Sequence, residues 1–160
     1  MGASTAAKRA AAASSELRPG EVAAPLPSRF DEGLYFIGRI HTPFRERSEC
    51  PRQGDPAGPD CDIIVFEPWT AALEGLKPGD RLQLLYFMHL ARRDLVRQLP
   101  HRAKLAKGTF ALRSPVRPNA IASSVVELID IDGGKLVVRG LDCLDGTPLL
   151  DIKPEYCPNA

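Results

Sequence analysis

Short apolar segments separated by turn residues are the feature that most limits what this chain can fold into. Six segments carry β-branched, aromatic or leucine side chains, and glycine, proline or aspartate residues stand between them. They are residues 34–40, 62–66, 81–87, 109–112, 124–131 and 135–141. Segments of this length and composition are typical of β-strands. Because strands do not alternate regularly with long helices, a doubly wound α/β fold is excluded and a sheet-dominated domain is predicted.

Helices are too few to cover such a sheet. A short helix is predicted at residues 69–73, directly after Pro68, and a second at residues 90–99. The sequence Asp132-Gly133-Gly134 lies between two strand segments, where it predicts a tight hairpin turn. A sheet with little helical cover removes its exposed edges most simply by closing on itself. We therefore expect a mainly β fold, a small closed β-barrel with few short helices.

The first residues differ from the rest in composition. Residues 1–29 are rich in alanine, serine and proline and contain little that could anchor a fold, so we predict a flexible N-terminal tail. Residues 30–160 then form the barrel domain. A chain of 160 residues, of which 44% are hydrophobic, is long enough to bury a core. No apolar run approaches the ~20 residues that cross a bilayer, so we expect no membrane partner.

Charge is unevenly distributed, although the formal net charge is only +1. Residues 92–118 contain a single acid, Asp94, among many basic side chains. The basic residues of this segment are Arg92, Arg93, Arg97, Arg102, Lys104, Lys107, Arg113 and Arg117. Such a cluster favours a polyanionic partner, and the alternative is a solvated charged face.

The cysteines form no CxxC pair, and no secretory apolar segment precedes them. They are Cys50, Cys61, Cys143 and Cys157. Reduced thiols in a cytoplasmic protein are therefore expected. Zinc is a weaker alternative, because the histidines do not share ligand spacing with the cysteines.

A rigid cationic loop is the first candidate site. Pro115 and Pro118 fix their own φ angles and disfavour helical backbone at the residues before them, so a helix is excluded there. A stiff backbone lowers the entropic cost of binding. Arg113 and Arg117 then become preorganised donors for a carboxylate or phosphate, and the alternative is that both are solvated.

The turn at residues 145–148 is the second candidate site. Asp145 and Gly146 form a turn dipeptide, Thr147 adds a hydroxyl, and Pro148 holds the exit extended. A carboxylate at such a turn can accept hydrogen bonds from a ribose hydroxyl or an ammonium group. The alternative is an aspartate that simply faces water.

Two weaker candidates complete this set. Pro51, Arg52 and Gln53 lie in a loop, and His89 follows the segment 81–87, where it is either a base or a packed ring. The chain contains no GxSxG, Walker or GxGxxG pattern, so hydrolase and Rossmann-type functions have no support.

Taken together, four stretches resemble the signature of the TrmO/YaeB-like family. They are PRQG (51–54), YFMH (86–89), GTFALRSPVRPNAIASSVVEL (108–128) and LDCLDGTPLLDIKP (141–154). The family motifs read close to GVFATRSPFRPNPIGLSVV and LDxLDGTPVLDIKPY, and the resemblance covers about residues 34–157. This chain departs from them at Ala120 and Ala122, where the family has proline and glycine, and a basic segment replaces a Pro- and Gly-rich linker.

The resemblance implies a small β-barrel that binds S-adenosylmethionine and forms a homodimer. It implies methyl transfer to N6 of N6-threonylcarbamoyladenosine, beside the anticodon of threonine tRNA. Bacterial members with this activity carry a further C-terminal domain, so a short form is expected. The alternatives are a barrel that uses the same cofactor on a different small acceptor, and a non-catalytic binding module.

The same resemblance assigns residues. The implied cofactor-binding positions are Pro51, Arg52, Gln53, His89, Leu90, Arg113, Val125, Asp145, Gly146, Thr147 and Pro148. Arg113 would suit the cofactor's carboxylate, and Asp145 its ammonium group or ribose. The residues expected to contact tRNA phosphates are Arg92, Arg93, Arg97, Arg102, Lys104, Lys107 and Arg117. Methyl transfer needs no protein nucleophile, and either His89 or Asp151 could accept the proton of the acceptor nitrogen.

Overall fold

The computed structural model describes residues 16–101 and 103–156, and it is mainly β. In chain order the strands are β1 (Val22–Ala23), β2 (Gly38–His41), β3 (Asp60–Val65), β4 (Arg81–Phe87), β5 (Leu95–Gln98), β6 (Lys107–Gly108), β7 (Ile121–Asp132), β8 (Lys135–Arg139) and β9 (Thr147–Pro154). The helices of the described residues are two short 3₁₀ turns, Trp69–Leu73 and Thr109–Ala111. None of them is long and apolar enough to span a membrane. Residues 1–15 of the predicted tail lie outside the described residues.

The chain divides into two compact units, which we describe separately. Of the described residues, the barrel unit comprises 33–88 and 121–156. The three-stranded unit comprises residues 16–32 and the described part of 89–120. Residues 22–23, which we predicted as tail, are therefore part of a sheet.

The barrel unit confirms the predicted closed barrel. Its strands are hydrogen-bonded in the order β2-β3-β8-β7-β4-β9, and all neighbouring pairs are antiparallel. Closure depends on β9, because this strand pairs with β4 on one side and with β2 on the other. No edge of the sheet is left open, which is the physical advantage of closure.

Alternating side chains of the strands fill the barrel. In β4, Leu82, Leu84 and Tyr86 are fully buried, whereas Arg81 is exposed. The other barrel strands contribute buried side chains in the same way: Ile40, Ile63, Val126, Leu128, Leu136, Val138 and Leu149. Truncating one of these side chains to alanine costs typically ~2–5 kcal/mol, so this core fixes the register of each strand.

Several local predictions are confirmed. Strand β4 spans the predicted residues 81–87, and residues 69–73 form the predicted short helix. Gly133 and Gly134 make the two-residue turn between β7 and β8, with a positive φ of 54° at Gly133.

Two local predictions are wrong, and strands β1, β6 and β9 were not predicted. Residues 95–98 form β5 rather than a helix at 90–99, because Leu95 and Gln98 point inward while β5 pairs with β1 and β6. Residues 109–111 form a 3₁₀ turn rather than a strand, because the buried hydroxyl of Thr109 donates to the Leu95 carbonyl oxygen at 2.6 Å. Strand β9 lacks the alternating pattern, since Pro148 and Asp151 interrupt it.

The three-stranded unit has the order β1-β5-β6 and contains a buried carboxylate. Glu21 accepts hydrogen bonds from the guanidinium and backbone N–H of Arg18 and from the N–H of Leu99 at 3.1 Å. The Arg18 side chain is the main cause that lowers the pKa of Glu21 to about 2. This carboxylate therefore ties the strand β1 segment to the chain that follows β5.

Candidate functional site

The strand register brings distant motifs to one end of the barrel. At this end, the last residues of β2 pair with the first residues of β3, and the first residues of β3 pair with the last residues of β8. The first residue of β9 pairs with Ile40, near the end of β2. Phe87, the last residue of β4, is paired with Ile121, the first residue of β7. The connections 42–59 and 140–146 lie at this end, and the second of them contains the turn at residues 145–146. We call this the motif end of the barrel.

Two glycines let the loop with residues 51–54 lie directly against the barrel. A β-carbon at Gly54 would lie 1.9 Å from the carbonyl oxygen of Gly140, which is far inside van der Waals contact. Gly140 has a positive φ of 112°, and a β-carbon there would lie 3.2 Å from the carbonyl oxygen of Val125. Three segments thus stack backbone on backbone, an approach that glycine permits because it has no side chain.

This stacking brings together two of the implied cofactor positions in the barrel unit, residues 51–53 and Val125. Arg52 and Gln53 are exposed, and neither has a hydrogen-bond partner among the residues that the structure describes. Pro51 is half-buried, and Val125 projects outward from β7 with its side chain exposed. The loop therefore presents one guanidinium and one amide that are available to a ligand.

The turn at residues 145–148 is confirmed and is anchored by its backbone. The N–H of Gly146 donates to the carbonyl oxygen of Ile40 at 2.8 Å, and Gly146 has a positive φ of 79°. The Thr147 hydroxyl donates to the carbonyl oxygen of Leu144 at 2.7 Å. Thr147 and Pro148 are buried, so these two positions shape the turn.

The Asp145 carboxylate is surrounded by donors of the same unit. One oxygen lies 3.1 Å from His41 Nδ1 and accepts the N–H of Thr42 at 3.3 Å, and the other accepts from the Arg45 guanidinium. Arg39 donates to the carbonyl oxygen of Gly146 at 2.7 Å. A ligand ammonium or hydroxyl that binds Asp145 would therefore join or displace one of these donors.

A buried polar network lies at the same end and was not predicted from the sequence. The Tyr86 hydroxyl donates to Asp142 Oδ1 at 2.6 Å and lies 2.7 Å from the Ser124 hydroxyl, which is itself 3.3 Å from Asp142. Burial, followed by the Asp142 charge, raises the pKa of Tyr86 well above its ordinary value. The sequence carries only a weak signal for this network. Tyr86 and Asp142 each lie within a motif of the resemblance, but nothing in their spacing indicates that they bond to each other.

The described cysteines are free, and two of them are buried. Burial raises the pKa of Cys61 to about 11 and that of Cys143 to about 12. Burial and the nearby Asp142 charge also raise the pKa of Cys50. The protonated thiol is favoured at each position, which makes them poor nucleophiles. No cluster of His, Cys, Asp or Glu that could hold a metal occurs within residues 16–101 and 103–156.

The remaining implied cofactor residues, His89, Leu90 and Arg113, lie in the three-stranded unit. All three are exposed, and Arg113 has no hydrogen bond or ion pair to the described part of the chain. Asp151 lies in the barrel unit, within strand β9, and pairs with Lys153 of the same strand. The structure thus places the two candidate bases in different units.

The predicted phosphate contacts fall into two groups. Arg92 pairs with Asp94, Arg93 donates to the carbonyl oxygen of Pro118, and Arg117 donates to the Leu112 carbonyl oxygen at 2.9 Å. These arginines are half-buried and stabilise the unit itself. The exposed cations are Arg97, Lys104 and Lys107, and Arg102 lies outside the described residues.

Comparison with known proteins places these features in context. A family described as the tRNA-methyltransferase O N-terminal domain matches residues 39–160. A probable S-adenosyl-L-methionine-binding protein, VirR, from Rhizobium radiobacter is 49% identical over 142 residues, which cover 89% of this chain and 81% of that protein. A probable S-adenosyl-L-methionine-binding protein from Methanothermobacter thermautotrophicus is 39% identical over 75% of this chain and 87% of its own length.

A solved structure has the same fold. The crystal structure of TrmO from Pseudomonas aeruginosa matches with a TM-score of 0.66 and 37% identity over 79% of this chain. The matched region covers 57% of the solved chain, so this chain spans little more than half of that protein's length.

Proposed function

This chain belongs to the family of the tRNA-methyltransferase O N-terminal domain, and from that premise we propose that it is an S-adenosylmethionine-dependent methyltransferase that modifies tRNA. The carrying observation is the extent of the family match, residues 39–160, which includes all six barrel strands except Gly38 and residues 89–120 of the three-stranded unit. Relatives named as S-adenosyl-L-methionine-binding proteins support the cofactor. A putative S-adenosylmethionine-dependent methyltransferase from Pseudomonas aeruginosa, 38% identical over 131 residues, supports the reaction.

The chemistry at the motif end fits this cofactor. Bound S-adenosylmethionine supplies a methyl group already activated on a sulfonium, together with a carboxylate, an ammonium group, a ribose and an adenine. Arg52 and Gln53 offer donors, Asp145 offers a carboxylate acceptor, and Val125 offers exposed apolar surface. We assign to the cofactor these residues together with the other implied positions Pro51, His89, Leu90, Arg113, Gly146, Thr147 and Pro148.

The protein's contribution to methyl transfer is positioning. The neutral thioether is a good leaving group, so holding the acceptor nitrogen in line with the methyl–sulfur bond that breaks supplies much of the rate acceleration. The glycine contact between Gly54 and Gly140 fixes the loop, and the bonds of Asp145 to His41 and Arg45 fix the turn. Neither a cysteine nor a serine of this end is required as a nucleophile.

The acceptor we propose is N6 of N6-threonylcarbamoyladenosine, next to the anticodon of tRNA. Support comes from the family description and from the basic segment 89–120, in which Arg97, Lys104 and Lys107 are exposed. These cations would contact phosphates, and binding would therefore weaken steeply as salt is raised. We propose that the protein works as a homodimer in the cytoplasm.

The test incubates the purified protein with labelled S-adenosylmethionine and bulk tRNA from a strain that lacks the family's methyl mark. We expect label in the tRNA, in a modified adenosine that nuclease digestion and mass spectrometry identify. The matched variant reverses three exposed charges, Arg97→Glu, Lys104→Glu and Lys107→Glu. It should retain cofactor binding by calorimetry and lose tRNA binding.

Each other outcome contradicts a definite part of the proposal. If the protein binds the cofactor but transfers no label to the tRNA, and if the charge reversals do not change tRNA affinity, a different small acceptor is favoured. If the wild-type protein does not bind S-adenosylmethionine, a non-catalytic binding module is favoured.

A further inference from the structure

One aromatic side chain of the three-stranded unit is presented to solvent by a well-anchored turn. Phe110 is 85% exposed, whereas the preceding residue, Thr109, is 2% exposed. Both belong to the 3₁₀ turn Thr109–Ala111. A phenylalanine in this position contributes little to the hydrophobic core, so packing does not explain it.

The turn beneath the ring is held by buried hydrogen bonds. The Thr109 hydroxyl donates to the carbonyl oxygen of Leu95 at 2.6 Å and accepts from the side-chain amide of Gln98 at 2.8 Å. The Arg117 guanidinium donates to the carbonyl oxygens of Thr109 and Leu112. The backbone on both sides of Phe110 is therefore fixed, which lowers the entropic cost of using the ring in binding.

The charges around this turn select the kind of ligand. Lys107 stands shortly before Phe110 and Arg113 shortly after it, and both are exposed without a hydrogen bond or ion pair to the described residues. Asp94 is the single acid of residues 89–120, and its pKa is lowered by its bond to Arg92. The turn and its flanking residues thus combine an exposed aromatic ring with exposed positive charge.

A nucleotide in a single-stranded region has both complementary parts. Its base offers an aromatic face and its phosphate offers an anion, and unpaired RNA bases commonly stack on exposed aromatic side chains. A purely apolar protein partner would match the ring but would leave Lys107 without a partner.

We propose that Phe110 is a stacking platform for an unpaired base of the RNA substrate, with Lys107 contacting an adjacent phosphate. This inference rests on the proposed function, because it assumes that the acceptor is an RNA. It assigns recognition of single-stranded RNA to the turn at residues 109–111.

The test measures fluorescence anisotropy of a short hairpin RNA with an unpaired loop, and of a fully paired duplex of similar length. We expect Phe110→Ala to weaken hairpin binding roughly tenfold and Phe110→Trp to preserve it, with duplex binding unchanged in both. The slope of log affinity against log salt should be unchanged by Phe110→Ala, whereas Lys107→Ala should lower its magnitude by about one. Leu105→Ala is the matched control, because Leu105 is a similarly exposed apolar residue of the same unit.

Three results would overturn the platform. They are equal losses in Phe110→Ala and Leu105→Ala, an unchanged hairpin affinity in Phe110→Ala, and a change of oligomeric state in Phe110→Ala by sedimentation, which would make the ring a contact between copies. Failure of the proposed function looks different: the wild-type protein would then transfer no label to tRNA. Label transfer by both the wild-type protein and Phe110→Ala, with equal RNA affinity, would refute the platform alone.

Discussion

Removing the Tyr86 hydroxyl tests whether the buried network at the motif end stabilises the barrel. Phe at this position keeps the ring but loses the 2.6 Å bond to the Asp142 carboxylate and the 2.7 Å contact with Ser124. A hydrogen bond to a charged group contributes about 1.5–3 kcal/mol. The lower half of that range applies, because Ser124 stays 3.3 Å from Asp142 and can still donate to it. We expect a loss of about 2 kcal/mol, or a fall in Tm of roughly 4–8 °C.

Thermal and urea unfolding, followed by circular dichroism, would measure this loss. Tyr35→Phe is the matched control, because Tyr35 is exposed and removing its hydroxyl breaks no bond of this network. We expect that control to change Tm by little. A Tyr86→Phe protein as stable as the wild type would refute the conclusion that the network stabilises the barrel.

The same variant has a pH signature whose sign follows from the raised pKa of Tyr86. The folded protein keeps the phenol proton at pH values where the unfolded chain, with an ordinary pKa of 10.0, has lost it. The contribution to stability is complete below pH 10 and is lost as the pH rises further. Wild-type stability should therefore fall more steeply above pH 10 than that of Tyr86→Phe, by up to about 1.4 kcal/mol per pH unit.

Two further perturbations test the loop contact and the buried carboxylate. Gly54→Ala places a β-carbon 1.9 Å from the Gly140 carbonyl oxygen, so we expect about 1–3 kcal/mol of destabilisation and weaker S-adenosylmethionine binding by calorimetry; Gly33→Ala, with open space around it, should do neither. The pKa of Glu21 is lowered to about 2, so the stabilising contribution of this carboxylate is complete above pH 4.5 and is lost as the pH falls toward 2. Unfolding of Glu21→Gln should therefore depend less on pH in that window, and parallel wild-type and variant curves would contradict this.

Local patterns of the sequence were sufficient where short-range physics decides the structure. Strand β4 was predicted to the residue because its leucine and aromatic side chains form a short run between turn residues, and the turn at Gly133 because tight hairpins need positive φ. Residues 95–98 were mistaken for helix because their spacing also fits a helical face, and pairing with β1 and β6 decided the outcome. Pairing partners this distant in the chain cannot be read from a local pattern.

The candidate site shows the same division. The sequence alone determined which stretches carry polar and turn-forming residues, including Arg52, Asp145 and the loop around Arg113, because residue type and short spacing set local chemistry. Only the tertiary structure decided that Gly54 packs on Gly140 and that Tyr86 bonds to Asp142. The physical reason is that barrel closure through β9 sets these neighbours, and closure depends on contacts between residues far apart in the chain.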